Sequence, residues 1–319
     1  MTVTDRCPFY REVVWSNMAP YWHVSLRVSQ AIASGLPVVA LESSIFTQGL
    51  PVPRNLEVAL EAERIIRAAG VEPATVGVYH GRPTIGLDEA QIDELAYEPG
   101  ILKASDRDLP FGAINKRNAG TTVAATAHLA HLAGIKVFAT GGLGGVHYGA
   151  DHTFDESADL STLAQTPLVV VSSGVKTMLD VRATLERLET LSVPIVGYGT
   201  DCYPGFYATD SGRKLRHRVD TPAHVAALYN AQRALDMKSA LLVANQIPTA
   251  NKVMPDVLEG AIAAAQQAIA ENNIEGPDVT PYLIEHLRQG TNGVSLEANI
   301  ALYLNNVRVA ALIAKELAG

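Results

Sequence analysis

One lysine in this chain stands where an amine is hard to account for as packing. Lys176 follows the run Pro167-Leu168-Val169-Val170-Val171-Ser172-Ser173-Gly174-Val175, read as a hydrophobic strand entering a helix. That places it at the C-terminal edge of a sheet, where open α/β folds bind their ligands. The positive end of a nearby helix, added to desolvation, disfavours the ammonium and leaves more neutral amine to attack a carbonyl. This is the profile of a Schiff-base lysine. A carboxylate belongs at the same edge, because Leu41-Glu42-Ser43-Ser44 ends the first convincing strand with Glu42. A carboxyl beside an amine can transfer protons if the surroundings bring both toward neutrality. Taken alone, Glu42 reads equally well as a buried carboxylate satisfying a helix N-terminus or the serine hydroxyls.

Four further segments carry polar chemistry. Lys103-Ala104-Ser105-Asp106-Arg107-Asp108 mixes charges of both signs, and on its own it is most simply a surface ion-pair cluster. Gly120-Thr121-Thr122-Val123 opens a helix with free backbone N–H groups suited to an anion, with Thr121 or Thr122 as the cap. Thr140-Gly141-Gly142-Leu143-Gly144-Gly145-Val146-His147-Tyr148-Gly149 places five glycines after a strand, so that backbone can approach a ligand closely. It lacks the acidic residue of a dinucleotide fold and the Gly-Lys-Ser/Thr of a phosphate loop, so the ligand stays open. Asp151, Asp155 and Asp159 recur every four residues, which on a helix would stack three carboxylates on one face. Such a face suits a hard cation, magnesium or manganese rather than zinc, or else a hydrated acidic ridge. His147 and His152 stand close enough in sequence to join a metal or a phosphate.

These residues need a scaffold, and the intervening sequence supplies one. Strand-like runs at 37–41, 75–79, 135–139, 167–171, 194–198 and 240–244 alternate with helical stretches. The pattern predicts an α/β fold of three layers, helices on both faces of a mostly parallel sheet. Asn55 reads as the cap of one helix that stops at Gly70, and Asp88 with Gln91 reads as a capping box. Beyond about residue 255 strands cease, and three helices are expected over 255–272, 278–289 and 294–317. Residues 1–27 read as an irregular extension and 28–319 as a single catalytic domain, since no linker or repeat divides the chain.

A formal charge of −8 argues against nucleic acid or a membrane surface as partner, and points to a small substrate. Cys7 and Cys202 have no zinc-like or disulfide-framework spacing, which fits a reduced, cytoplasmic setting. No segment approaches the roughly 18 uninterrupted apolar residues that span a bilayer.

Taken in order, Leu41 to Ser44, Pro51-Val52-Pro53-Arg54-Asn55, Lys103-Ala104-Ser105, Gly120 to Thr126, Thr140 to Gly149, Phe154 to Leu160 and Gly174-Val175-Lys176 resemble the pseudouridine-5′-phosphate glycosidase family, which includes indigoidine-synthase-A-like proteins. The likeness continues through Gly197 to Asp201, Phe206-Tyr207, Ser295 to Leu302 and Leu304-Asn305-Asn306. It implies reversible cleavage of a C-glycosidic bond, giving uracil and ribose 5-phosphate. It also implies roles residue by residue: Lys176 the nucleophile, Glu42 the proton donor, Lys103, Thr122 and Val123 substrate contacts, Ser157, Ala158 and Asp159 a phosphate and sugar segment, and Asn299 a contact to the base. By the same resemblance Asp155 would hold a largely hydrated Mn2+. The assembly would be a homotrimer in which His147 serves a neighbouring subunit's phosphate.

The chain departs from the family pattern at His80, Tyr148, Cys202 and Asn292-Gly293, where members usually carry Asp, Arg, an acidic residue and Gly-Gly. Altered loops around an intact lysine centre keep a second reading open, a C-glycosynthase joining ribose 5-phosphate to an aromatic acceptor.

Overall fold

The computed structural model describes residues 21–272, 274 and 279–319. Its strands form one eleven-stranded sheet: β1 (His23–Val24), β2 (Val38–Glu42), β3 (Glu72–Tyr79), β4 (Arg82–Ile85), β5 (Leu102–Ala104), β6 (Ala119–Thr121), β7 (Val137–Ala139), β8 (Val169–Ser172), β9 (Ile195–Tyr198), β10 (Arg218–Val219) and β11 (Leu241–Ala244). The main order is β1-β4-β3-β2-β7-β8-β11-β9-β10, with β6 attached to β3 and β5 to β6. Every pairing is parallel except β3 with β4 and β3 with β6. The sheet is therefore mixed but mostly parallel, and β2, β7, β8 and β11 end at one common edge.

Helices cover both faces. Val38, Ala40, Phe138, Val170 and Leu242 point to one side, where they meet α1 (Leu26–Ala33), α6 (Val123–Leu132) and α8 (Ala158–Leu163). Val39, Leu41, Val137, Val169, Val171 and Val243 point to the other, packing with α3 (Arg54–Ala68), α4 (Glu89–Tyr97), α10 (Pro222–Ala234) and the final helices α11 (Pro255–Asn272), α12 (Val279–Gly290) and α13 (Val294–Ala318). Both faces being buried explains why these strands read as continuous apolar runs rather than alternating ones. The remaining helices, α2 (Ser44–Thr47), α5 (Leu109–Asn115), α7 (Ala150–Thr153) and α9 (Val181–Thr190), stand in or next to the connecting loops. Among the described residues no helix is long and apolar enough to cross a membrane.

The long runs and the three last helices lie where the sequence pattern places them. Differences fall on short pieces. β1, β5, β6 and β10 have two or three residues each, too few to show a period. Residues 21–27 belong to the fold ahead of the expected boundary at 28: β1 pairs with β4, and Ser25 caps α1. Residues 1–20 of the expected extension lie outside the described residues. Asn55 is not a cap. It sits inside α3, buried, and donates its amide to the carbonyls of Phe46 (2.9 Å) and Ala96 (2.8 Å), tying α2 to α4. Asp88 and Gln91 do form the capping box.

The departure at Asn292-Gly293 has a backbone explanation. Asn292 has φ +49 and Gly293 φ +84, in the left-handed region that asparagine tolerates and a glycine enters freely. Asn292→Gly is expected to change stability by only a few tenths of a kcal/mol, and Asn292→Val to cost about 1–2 kcal/mol. Denaturant unfolding checks the contrast; equal effects would show that the turn does not require this conformation.

Candidate active site

The site is built on strand ends. β2 pairs with β3 only as far as Glu42 opposite Val76, and from Gly77 onward its place beside β3 is taken by β6. β5, parallel to β6, sets Lys103 opposite Gly120. This handover brings Lys103 to the edge where Glu42 ends. Ser43 locks the junction: its Oγ accepts from the Thr121 backbone N–H at 2.8 Å, while Thr121 Oγ1 donates to the Val76 carbonyl at 2.7 Å.

Lys176 is held by a different device. The ladder between β7 and β8 does not stop at the sheet edge but continues through two loops. Ser173 N–H donates to Gly141 O at 3.0 Å, Leu143 N–H to Gly174 O at 2.9 Å and Lys176 N–H to Leu143 O at 3.1 Å. Gly174 permits this path, since it has φ +87 and a Cβ there would lie 2.6 Å from the Pro204 carbonyl. Lys176 is thus fixed by strand-like pairing, and not by the start of a helix. α9 begins only at Val181, behind its cap Asp180, so the expected influence of a helix N-terminus on this amine falls away.

Glu42, Lys103, Lys176 and Asn299 line one cleft, with Ser44, Ile45, Gln48, Met178 and Phe206 among its walls. Glu42 is 5% exposed. One carboxyl oxygen accepts from Ser44 Oγ at 2.7 Å and the other from Thr140 Oγ1. Burial pushes its pKa above the ordinary 4.5, against the opposing pull of the Lys176 charge and the two hydroxyls. Desolvation thus favours the neutral form of a carboxyl that shares its cleft with a lysine.

Thr122, Val123, Ser157, Ala158 and Asp159 form a second group, joined to the cleft by the glycine-rich loop. Thr122, not Thr121, caps α6, and Ser157 caps α8. The buried Asp159 carboxylate accepts from Ala124 N–H at 2.9 Å and Gly144 N–H at 2.8 Å, clamping the loop onto the start of α6. No side chain fits at Gly144, where a Cβ would strike Ser157 and Asp159. Asp159 therefore acts on the loop directly, with both oxygens already engaged.

The three aspartates do not share a helix face. α7 ends at Thr153, Phe154 turns the chain at φ +58, and α8 starts at Ala158, which separates Asp151 and Asp155 from the buried Asp159. Asp151 and His152 are exposed and lie beside each other, with His152 Nε2 3.4 Å from the Asp151 carboxylate. Asp155 is about half-exposed, with His147 Nδ1 3.8 Å from its carboxylate and the His147 N–H donating to its carbonyl at 3.0 Å. Among the described residues no group of three or more His, Cys, Asp or Glu could encase a metal. A lone, accessible carboxylate fits a hard cation that keeps most of its own water, and does not fit a four-coordinate zinc site.

Some wall residues carried little signal in the sequence. Gln48 and Met178 sit in no motif and are identified only by the folding of their loops around the cleft. Thr140 and Ser44 were visible beside the glycines and Glu42, but that both hydroxyls converge on one carboxyl needs the third dimension.

Comparison with known proteins bears on this site. Residues 27–316 match the family model described as indigoidine synthase A like protein. The chain is 56% identical to a pseudouridine-5′-phosphate glycosidase of Saccharopolyspora erythraea, over 93% of this chain and 98% of that one. It is 48% identical to pseudouridine-5′-phosphate glycosidase 2 of Rhizobium johnstonii, over 91% and 94%. Among solved structures it is similar to an indigoidine synthase A-like protein of Thermotoga maritima (TM-score 0.87, 35% identity, 95% and 99% covered). It is similar also to the prealnumycin C-glycosynthase AlnA in complex with ribulose 5-phosphate (TM-score 0.85, 35% identity, 93% and 97% covered).

The raised pKa of Glu42 makes a stability prediction. Above pH 4.5 the native state holds a proton that the unfolded chain releases, so this group lowers stability as pH rises toward its native value. Glu42→Gln removes the penalty. Its unfolding midpoint is expected to exceed the parent's at neutral pH, with the gain shrinking toward zero below about pH 4. Thermal unfolding across pH checks this, and a gain independent of pH would refute it.

Proposed function

The chain belongs to the indigoidine synthase A-like family, and on that premise we propose that it is a pseudouridine-5′-phosphate glycosidase, cleaving the C-glycosidic bond with water to give uracil and ribose 5-phosphate. The observation that carries the reading is the sharing of one cleft by Lys176 and the buried Glu42, in a chain 56% identical over 93% of its length to a protein of that name.

The chemistry requires this pair. A C–C glycosidic bond has no heteroatom to leave on, so two carboxylates arranged as for O-glycosides do not suffice. Lys176 forms a bond to the anomeric carbon as the ribose ring opens, its ring oxygen taking a proton. Glu42 then protonates the base carbon. The nitrogen lone pair becomes the C=N bond as the carbon–carbon bond breaks, and that bond's electron pair restores the neutral base. Water adds to the imine, releasing ribose 5-phosphate and the free amine. Thr140 and Ser44 keep the Glu42 carboxyl oriented while it gives up and regains its proton.

Lys103 and the Ser157–Asp159 segment take the sugar phosphate, with Thr122 and Val123 beside it at the start of α6, and Asn299 faces the base. Asp155 would hold a largely hydrated Mn2+, whose charge would help to bind an anionic substrate. The active assembly is a homotrimer in the cytoplasm, with His147 reaching a neighbour's phosphate. The second reading, C-ribosylation of an aromatic acceptor, draws on the AlnA likeness, at 35% identity, and would use the same centre in the opposite direction.

Borohydride reduction with ribose 5-phosphate is expected to leave a reduced sugar adduct on Lys176 alone, and Lys176→Ala to lower kcat by about 10⁴-fold or more. Retained turnover in that variant would sink the mechanism. Supplying ribose 5-phosphate with either uracil or an aromatic acceptor separates the two readings: turnover of the aromatic compound alone rejects the glycosidase. For the metal, Asp155→Ala is expected to weaken Mn2+ binding at least about tenfold by electron paramagnetic resonance titration. Unchanged affinity would place the ion elsewhere.

A further inference from the structure

We propose that Asn306 is a positioning residue for the reaction, holding the C-terminal ends of three neighbouring strands at fixed spacing so that Lys176 meets Glu42. The inference rests on the reading of those two residues as the reacting pair. Asn306 lies on α13, seven residues beyond the cleft residue Asn299, and is fully buried. Its side-chain nitrogen is 2.8 Å from the Thr140 carbonyl, 3.3 Å from the Gly141 carbonyl and 3.1 Å from Ser173 Oγ. Its oxygen accepts from Asn245 Nδ2 at 2.9 Å. The orientation of the amide is not open to choice, because backbone carbonyls only accept and the nitrogen must face them.

These partners are the residues that immediately follow β7, β8 and β11, which lie side by side in the sheet. Each leads to the chemistry. Thr140 donates its hydroxyl to Glu42, so the Asn306 bond to its carbonyl holds the backbone from which Glu42 is oriented. Gly141 and Ser173 begin the loop ladder that ends on Lys176. Asn245 adds the third strand, its own N–H donating to the Ser172 carbonyl at 2.9 Å. One amide thus spans both halves of the reacting pair without lining the cleft itself. A buried apolar side chain there would fill the space equally well but would leave the Thr140 carbonyl and the Asn245 donor without this partner and strip the Gly141 carbonyl of its second donor, so the polarity is directed at these loops.

The test compares Asn306→Asp, which keeps the shape but cannot donate to both carbonyls, with the milder Ser173→Ala in case the first fails to fold. Tyr229→Phe is the control, since its hydroxyl donates to the Pro167 carbonyl at the far end of β8. Displacement of a reacting group by about 1 Å costs on the order of 10²-fold, so kcat is expected to fall by about that factor in Asn306→Asp and about tenfold in Ser173→Ala, with KM within about threefold of the parent's. Hydrogen exchange is expected to quicken at the Ser173, Leu143 and Lys176 amides in both variants, and not in Tyr229→Phe. Unchanged kcat, an equal loss in Tyr229→Phe, or a raised KM at constant kcat would overturn the proposal. Should the parent protein neither cleave pseudouridine 5′-phosphate nor trap a sugar, the functional reading fails. The exchange measurement then decides Asn306 by itself: unchanged rates overturn the positioning role and faster rates support it.

Discussion

The continuation of the β7–β8 ladder past the edge of the sheet is the constraint on which the rest of the site depends. A sheet edge normally releases its chain into loops whose geometry is set by their own turns. Here Ser173, Leu143 and Lys176 keep donating across the gap to Gly141, Gly174 and Leu143 in turn, so two loops inherit the spacing of two strands. The proposed nucleophile therefore stands on pairing as regular as that of the sheet. The glycines are part of the same constraint, since Gly174 needs a positive φ and side chains at Gly142 or Gly145 would collide with Phe206 or Thr184.

Around that frame the site separates two electrostatic tasks. Glu42 is buried and pushed toward its protonated form, and it is steadied by hydroxyls that can follow it through a change of charge. Asp159, equally buried, accepts from two backbone N–H groups, one on each oxygen, which tie the glycine loop to the start of α6. Two carboxylates in one region thus take different work from their partners: hydroxyls suit proton transfer, and fixed amides suit architecture. Asp155, about half-exposed, stands apart from both, with His147 Nδ1 3.8 Å from its carboxylate.

The C-terminal helices give the cleft its remaining wall. α13 crosses the sheet with Asn299 toward the cleft and Asn306 against the strand ends, two amides about two turns apart on one face. One helix of 25 residues carries both the surface proposed to meet the base and the clamp proposed to align the amine, so substrate contact and site geometry share one element.

The layers, the six main strands and the last three helices were legible from sequence, because burial on both faces writes long apolar runs that local pattern can read. The same pattern singled out Lys176 and Glu42: a charged residue ending an apolar run is conspicuous. Asp151, Asp155 and Asp159 show the limit of that reading, since a period of four suggested one helix and a single positive φ at Phe154 broke it. Asn55 shows it too, for a polar residue near a helix start is a cap or a buried tie depending on what packs against it. Three features became visible only in the folded chain: β6 replaces β2 beside β3 and so brings Lys103 to Glu42, Lys176 hangs on a ladder and not on a helix, and Asn306 reaches three strands at once. Each is a contact between segments tens to more than a hundred residues apart, set by register and packing, to which a local sequence pattern is blind.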